Sequence, residues 1–355
     1  MTEALKIGIL DGDDIGLEIV PAAVEVLRAA ARKHDVAIEW RPLPIGRRAL
    51  DTHGSTLPQE TLETLPTLDG WILGPIGHRA YPRRPEAINP HPILRKRFNL
   101  FANVRPTRSY PDIGCLHDGV DLVIVRENNE GFQPDRNVVA GSGEFRPSED
   151  MTISVRVITR QGSYRVARAA LELARQRRKH LTYVHKDTVF KLGCGMFVEE
   201  CKRAAAEFPD VHVDDVIVDT FAMRLVRDPQ SFDVVVTTNM FGDILSDEAA
   251  GLVGGLGMAP GLCIGEGNIA MAQATHGSAP DIAGKGVANP YAMIESSRML
   301  LEWLGHSRRL PHAVAAAAAI SRATTGALRD PAARTSDIRG HGNTASMVAR
   351  IIAGL

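Results

Sequence analysis

FDVVVTTNMFGDILSDEAAGLVGGLGMAPG, residues 232–261, opens on a run of β-branched residues and passes into a helical pattern at Asn239. A strand that feeds directly into a helix is the repeating unit of an α/β protein, a parallel or mixed sheet covered by helices. The same alternation recurs on both sides. Strands are expected at 6–10 (KIGIL), 70–73 (GWIL), 121–125 (DLVIV), 181–184 (LTYV), 233–238 and 269–274 (IAMAQA). Helices are expected over 16–33, 162–176, 189–207 and from 290 onward, where Asn289 can cap and Pro290 fits a first turn. Residues 133–156 break the pattern. They are polar and glycine-bearing and end in the alternating run MTISVRVI, which predicts an extended arm or hairpin.

The opening stretch also carries the sharpest chemistry. Asp243 and Asp247 lie four residues apart, so their carboxylates share one helix face. Two oxygen donors on a rigid face suit Mg²⁺ or Mn²⁺, although the same spacing also decorates solvated helices. Asp219, after another strand-like run, could reach the same site from a different element. Arg95, Arg105 and Arg126 stand at strand ends or after apolar runs, and guanidinium groups pair bidentately with carboxylates. Arginines are plentiful in this chain, and any single one is more often a surface residue than a ligand clamp. A third region, 275–290 (THGSAPDIAGKGVANP), offers backbone amides in an irregular loop suited to a nucleotide. His276, Gly277, Ser278, Ala279, Pro280, Asp281 and Asn289 are its candidate cofactor contacts. An acid at Asp281 would accept hydrogen bonds from ribose hydroxyls and repel a 2′-phosphate, which favours NAD over NADP. The turn LDGDDIG after the first strand is not GxGxxG, so a Rossmann fingerprint is absent.

Bulk properties limit the alternatives. The 355 residues are 44% hydrophobic, enough for a substantial core, and 41 Lys and Arg balance 42 Asp and Glu. That balance gives no reason to expect nucleic acid or an anionic membrane as a partner. The first residues, MTEALKIGILDGDD, hold an apolar run too short for a signal peptide or membrane span, so a soluble cytoplasmic protein is expected. Cys115, Cys194, Cys201 and Cys263 show no CxxC pair, as expected of reduced thiols.

Taken in order, the motifs resemble the β-decarboxylating dehydrogenases, the family of isopropylmalate, isocitrate, homoisocitrate, tartrate and D-malate dehydrogenases. The likeness runs nearly end to end. It is carried by GDDIG (12–16) with Glu18, LFANVRP (100–106), VREN (125–128) with EG (130–131), VITR (157–160) and HKD (185–187). VD (218–219) with AM and LV, NMFGDILSD (239–247), GGLGMAPG (254–261) and HGSAPDIAGKGVANP (276–290) complete it. The general pattern is nearest that of 3-isopropylmalate dehydrogenases. The resemblance implies their mixed sheet rather than a Rossmann fold, with a discontinuous nucleotide-binding domain (1–99 plus 258–355). Residues 100–257 would form the substrate, metal and dimerisation domain, with an intersubunit arm near 133–157. It implies that Arg95, Arg105 and Arg126 hold substrate carboxylates, that Asp219, Asp243 and Asp247 hold Mg²⁺ or Mn²⁺, and that Lys186 is the general base. Each active site would be shared across a homodimer, with Lys186 and Asp219 supplied by the neighbouring subunit.

The implied reaction is NAD-dependent oxidative decarboxylation of a di- or tricarboxylate 2-hydroxy acid. Several positions depart from the family pattern. Gln133 stands where a tyrosine is expected to protonate the enol, Asp14 replaces a glycine, and Thr188 replaces an asparagine. The segment AINPHPIL (87–94) is longer and less aliphatic than in isopropylmalate dehydrogenases, so Asn89 and His91 could face a polar substituent. The alternative function is a regulatory or catalytically degenerate nucleotide-binding subunit of a hetero-oligomeric relative.

Overall fold

Strands buried on both faces read as unbroken apolar runs, because helices cover each side of the sheet. In the computed structural model, which describes residues 4–132, 143–267 and 269–355, the runs GWIL and VVVT are such strands, buried at every position. The chain begins with β1 (Leu5–Leu10), α1 (Gly16–Lys33), β2 (Ile38–Pro42), α2 (Gly46–His53), α3 (Gln59–Thr64) and β3 (Gly70–Leu73). It continues through α4 (Pro90–Arg97), β4 (Ala102–Arg108), β5 (Asp121–Glu127) and the pair β6 (Glu144–Ser148) and β7 (Met151–Ser154). Strands and helices then alternate as α5 (Arg160–Arg175), β8 (His180–His185), α6 (Gly193–Ala205), β9 (His212–Ile217), α7 (Val218–Arg227), β10 (Val234–Thr237) and α8 (Asn239–Leu252). The last elements are β11 (Leu262–Ile264), β12 (Ala270–Ala272), α9 (Tyr291–Ser307), α10 (Pro311–Ala327) and α11 (Thr344–Gly354).

One ten-stranded sheet runs in the order β2-β1-β3-β12-β11-β4-β5-β10-β8-β9. Its flanks are parallel, and its centre, where β11 meets β12 and β4, and β4 meets β5, is antiparallel. The mixed sheet read from the sequence is therefore present, and the expected strands and long helices all form. β4 was not legible as a strand, because ANVRPTR carries two arginines and a proline. Its position explains how Pro106 is tolerated: β11 covers β4 only at residues 102–104, so the missing N–H of Pro106 falls beyond that ladder. The expected arm is a hairpin, β6 with β7, whose Phe145, Met151 and Ile153 are exposed. Gln133 lies outside the described residues.

Three apolar clusters form the core. The largest joins α1, α9, α10 and α11 to the sheet and reaches across it to Phe221 and Leu245. A second packs α5 and α6 on β5, β8 and β10, and a third packs Trp71, Leu94 and Phe98 around β3. Among the described residues, no helix is long and apolar enough to cross a membrane.

Candidate active site

The carboxyl ends of parallel strands leave a crevice where loops can present side chains to a ligand. Four adjacent strands supply the candidate residues here. Arg126 lies near the end of β5, Asn239 follows β10, Lys186 follows β8, and Asp219 lies in the first turn of α7 after β9. The antiparallel register sets Arg105 of β4 opposite Ile124, two residues before Arg126, so both guanidiniums leave one face of the sheet. Helix α8 covers that face. It comes close because residue 242 is glycine: a Cβ there would stand 2.7 Å from Cβ and Cγ of Arg126.

Asp243 and Asp247 therefore project onto buried arginines. Arg105 Nη1 donates to Asp243 Oδ1 at 3.1 Å and to Ser246 Oγ at 2.7 Å, and lies 3.8 Å from Asp247 Oδ1. Arg126 pairs with Asp243 and donates to Asn239 Oδ1 at 2.7 Å. Arg95, Arg105 and Arg126 are 7%, 5% and 2% exposed, whereas the side chains of Asp243 and Asp247 are half-exposed. Burial opposes ionisation of Asp243, but Arg126, Arg105 and Arg95 outweigh it and hold the carboxyl below its ordinary range. Asp247 is pushed up by burial, with the charge of Asp243 adding to it. Burial also lowers the Arg105 guanidinium. Among the described residues, three buried cations thus face two carboxylates, and the Nε atoms of Arg95 and Arg105 are buried without hydrogen-bond partners. Buried positive charge in excess calls for an anion.

Lys186 and Asp219 form a second group. Lys186 Nζ donates to Asp219 Oδ1 at 2.6 Å, which holds the Asp219 carboxyl below its usual range. The pair opens onto a cleft of about 410 Å³ between α7 and α8, lined by Val189, Phe190, Phe241, Ile244 and Glu248 among others. Positions 241, 244 and 248 lie on a different face of α8 from 243 and 247. Within one chain, among the described residues, the three aspartates expected to hold a metal do not gather their oxygens in one place.

The 275–290 loop packs on the turn after β1. Ile15 N–H donates to Ser278 O at 3.1 Å, and Glu18 accepts hydrogen bonds from the amides of Gly284 and Gly286. Asp14 sits in that turn at φ +52°, left-handed backbone that a glycine adopts freely and an aspartate tolerates better than most residues. The departure at Asp14 thus keeps the backbone path. Burial pushes the His276 ring below its ordinary range, and among the described residues its Nε2 is a buried atom without a partner. Asp281 is exposed. Asn289 is already engaged: it accepts from Tyr291 N–H at 3.0 Å, which starts α9, and donates to Asp337 Oδ2 at 2.9 Å.

A model of the family described as isocitrate/isopropylmalate dehydrogenase matches residues 6–351. The chain belongs to the isocitrate/isopropylmalate dehydrogenase family. It is 42% identical to an isocitrate/homoisocitrate dehydrogenase of Thermus thermophilus over 358 aligned positions, covering 99% of each protein. It is 43% identical to a 3-isopropylmalate dehydrogenase of Archaeoglobus fulgidus over 306 positions, covering 85% of this chain and 86% of the relative. Among solved structures, isocitrate dehydrogenase from Methylococcus capsulatus superposes with a TM-score of 0.86 at 39% identity, covering 99% of each chain.

For this family member, sequence reasoning missed several residues that the fold places in the crevice. Gln273 accepts from Arg95 Nη2 at 3.0 Å, so its amide nitrogen donates to His91 Nε2 at 2.8 Å and fixes the Nδ1–H tautomer of that ring. Asn239 and Ser246 bridge to the arginines. Nothing local marks Gln273, and although Asn239 and Ser246 lie inside the 239–247 motif, only the crossing of α8 over β4 and β5 brings them to the arginines. The expectation that Asn89 faces a substrate is corrected. Its side chain caps α4, accepting from His91 N–H at 3.2 Å.

Proposed function

We propose that the chain catalyses NAD-dependent, Mg²⁺- or Mn²⁺-dependent oxidative decarboxylation of a (2R)-2-hydroxy acid that carries a carboxylate on C3. The observation that carries this reading is the excess of buried arginine charge beside the carboxylates of α8, which fits a ligand with at least two carboxylates. Asp243 and Asp247 are hard oxygen donors suited to Mg²⁺ or Mn²⁺, and Asp219 of a second subunit is the third. A bound cation would supply positive charge near the oxygen at C2, and bound NAD would supply the hydride acceptor. Arg95, Arg105 and Arg126 bind and orient the acid. Lys186, held by Asp219, takes the hydroxyl proton as hydride leaves C2. His276 Nε2 and the amides of the 275–290 loop meet the nucleotide, with Asp281 on the ribose.

The site is proposed to be completed by a homodimer. Lys186 and Asp219 lie on one face of α8 and the arginine-bound aspartates on another, so one subunit holds two half-sites. The surfaces beside them are apolar and exposed: Val189 is 62%, Ile244 60% and Leu192 88% accessible. The β6–β7 hairpin carries further exposed apolar side chains, as an arm clasping a partner would. The proposed division into 1–99 with 258–355 and 100–257 fits two of the apolar clusters, one lying almost wholly in each block.

For the substituent on C3, the His91–Gln273–Arg95 chain makes a polar wall where an isopropyl group would want an aliphatic one. A carboxylated or hydroxylated substituent fits it better. The deciding experiment follows NADH formation and CO₂ release with Mn²⁺ across malate, tartrate, isopropylmalate, isocitrate and homoisocitrate. Turnover of a polar-substituted acid is expected. Tight NAD binding without turnover of any of them would replace this reading with a regulatory subunit.

A further inference from the structure

At the ends of β8 and β9 opposite Lys186, side chains of three residues of metal-binding type meet across the two strands. β9 runs parallel to β8 with His212 beside His180 and Asp214 beside Thr182. Side chains alternate along a strand, so these four residues stand on one face. One donor atom each from His180, His212 and Asp214 lies within 4.8 Å of the others. His180 Nε2 is 3.3 Å from Asp214 Oδ2, and the two imidazole rings are 5.0 Å apart between centroids. Tetrahedral Zn²⁺, with bonds of about 2.0–2.1 Å, sets neighbouring donors about 3.3 Å apart and two imidazole centroids about 5 Å apart.

A second observation points to a ligand. Nε2 of His180, Oδ1 of Asp214 and Oγ1 of Thr182 are buried and reach no hydrogen-bond partner among the described residues. The His180–Asp214 contact is close enough for an ion pair but is not aligned as a hydrogen bond. Buried polar atoms left unpaired are costly, and three on one small patch need an explanation. We propose that His180, His212 and Asp214 form a site for a borderline-soft divalent cation of the Zn²⁺, Co²⁺ or Ni²⁺ class, which clips the edge strand β9 to β8. The ion takes up the His180 nitrogen and the Asp214 carboxylate, and a water completing its coordination serves Thr182. Two imidazoles disfavour Mg²⁺, which separates this site from the all-carboxylate set on α7 and α8. It lies about 20 Å from Lys186, six residues along the strand at about 3.3 Å each.

The test uses whole protein freed of metal with EDTA and kept in excess Mg²⁺. Calorimetric titration with Zn²⁺ should show one site per chain, and Co²⁺ should develop the visible absorption of a four-coordinate complex. His212→Ala, at an exposed position, and Asp214→Asn should each weaken Zn²⁺ binding by more than tenfold and abolish the Co²⁺ bands. NADH formation should persist. Wild-type protein that takes up no Zn²⁺ under these conditions overturns the proposal. So does unchanged binding in His212→Ala, which decides the matter alone if Asp214→Asn does not fold.

Discussion

Single side chains set the charge balance of the crevice. If Lys186 is the base, Lys186→Ala should lower kcat by roughly 10²- to 10⁴-fold while NAD affinity, read by fluorescence titration, stays nearly constant. A parallel loss of NAD binding would show that the residue does something else. Asp281→Lys should raise KM for NAD roughly tenfold, the value of one charge-assisted hydrogen bond, and improve use of NADP. Glu130, beside the arm, gives a pH signature. Burial, followed by the charge of Glu127, pushes its carboxyl from 4.5 up to about 7. The folded state then binds one more proton than the unfolded chain between those values. Its stabilising contribution is full below about 4.5 and is lost as pH rises through about 7. The melting temperature of Glu130→Gln should therefore fall less steeply than that of the wild type between pH 5 and 8. An identical slope would dismiss Glu130 as its source.

At the level of elements, the site depends on how closely α8 lies on β5. Gly242→Ala would set a methyl group 2.7 Å from the base of the Arg126 side chain, which is held between Asp243 and Asn239. Overpacking costs about 1–3 kcal/mol, against about 1 kcal/mol gained in helix propensity. The expected result is a modestly lower melting temperature with a raised KM for the acid and an unchanged KM for NAD. The same crossing explains why some of the site was hidden in the sequence. The i, i+4 spacing of Asp243 and Asp247 is local and announces a shared face. Gln273 has no such signature, because its partner Arg95 lies far away along the chain.

For the molecule as a whole, the decisive issue is whether the two half-sites of a chain serve different active sites. Lys186→Ala and Asp243→Asn should each be inactive alone. Unfolded together and refolded as an equal mixture, they should recover about a quarter of wild-type activity. Half of the dimers are mixed, and one of the two sites in each is intact. No recovery would place all the catalytic groups within one subunit.

The sequence by itself determined the α/β class, the long helices, the hairpin and the shared face of Asp243 and Asp247. Each of these rests on local periodicity or on a motif that neighbouring residues complete. Only the tertiary structure decided that β4 lies at the centre of the sheet despite Pro106, that Asn89 is committed to a helix start, and that His91 belongs to a polar wall. Those outcomes depend on which strands pair and which helix crosses them. Such contacts join residues far apart in the chain, and no spacing along it encodes them.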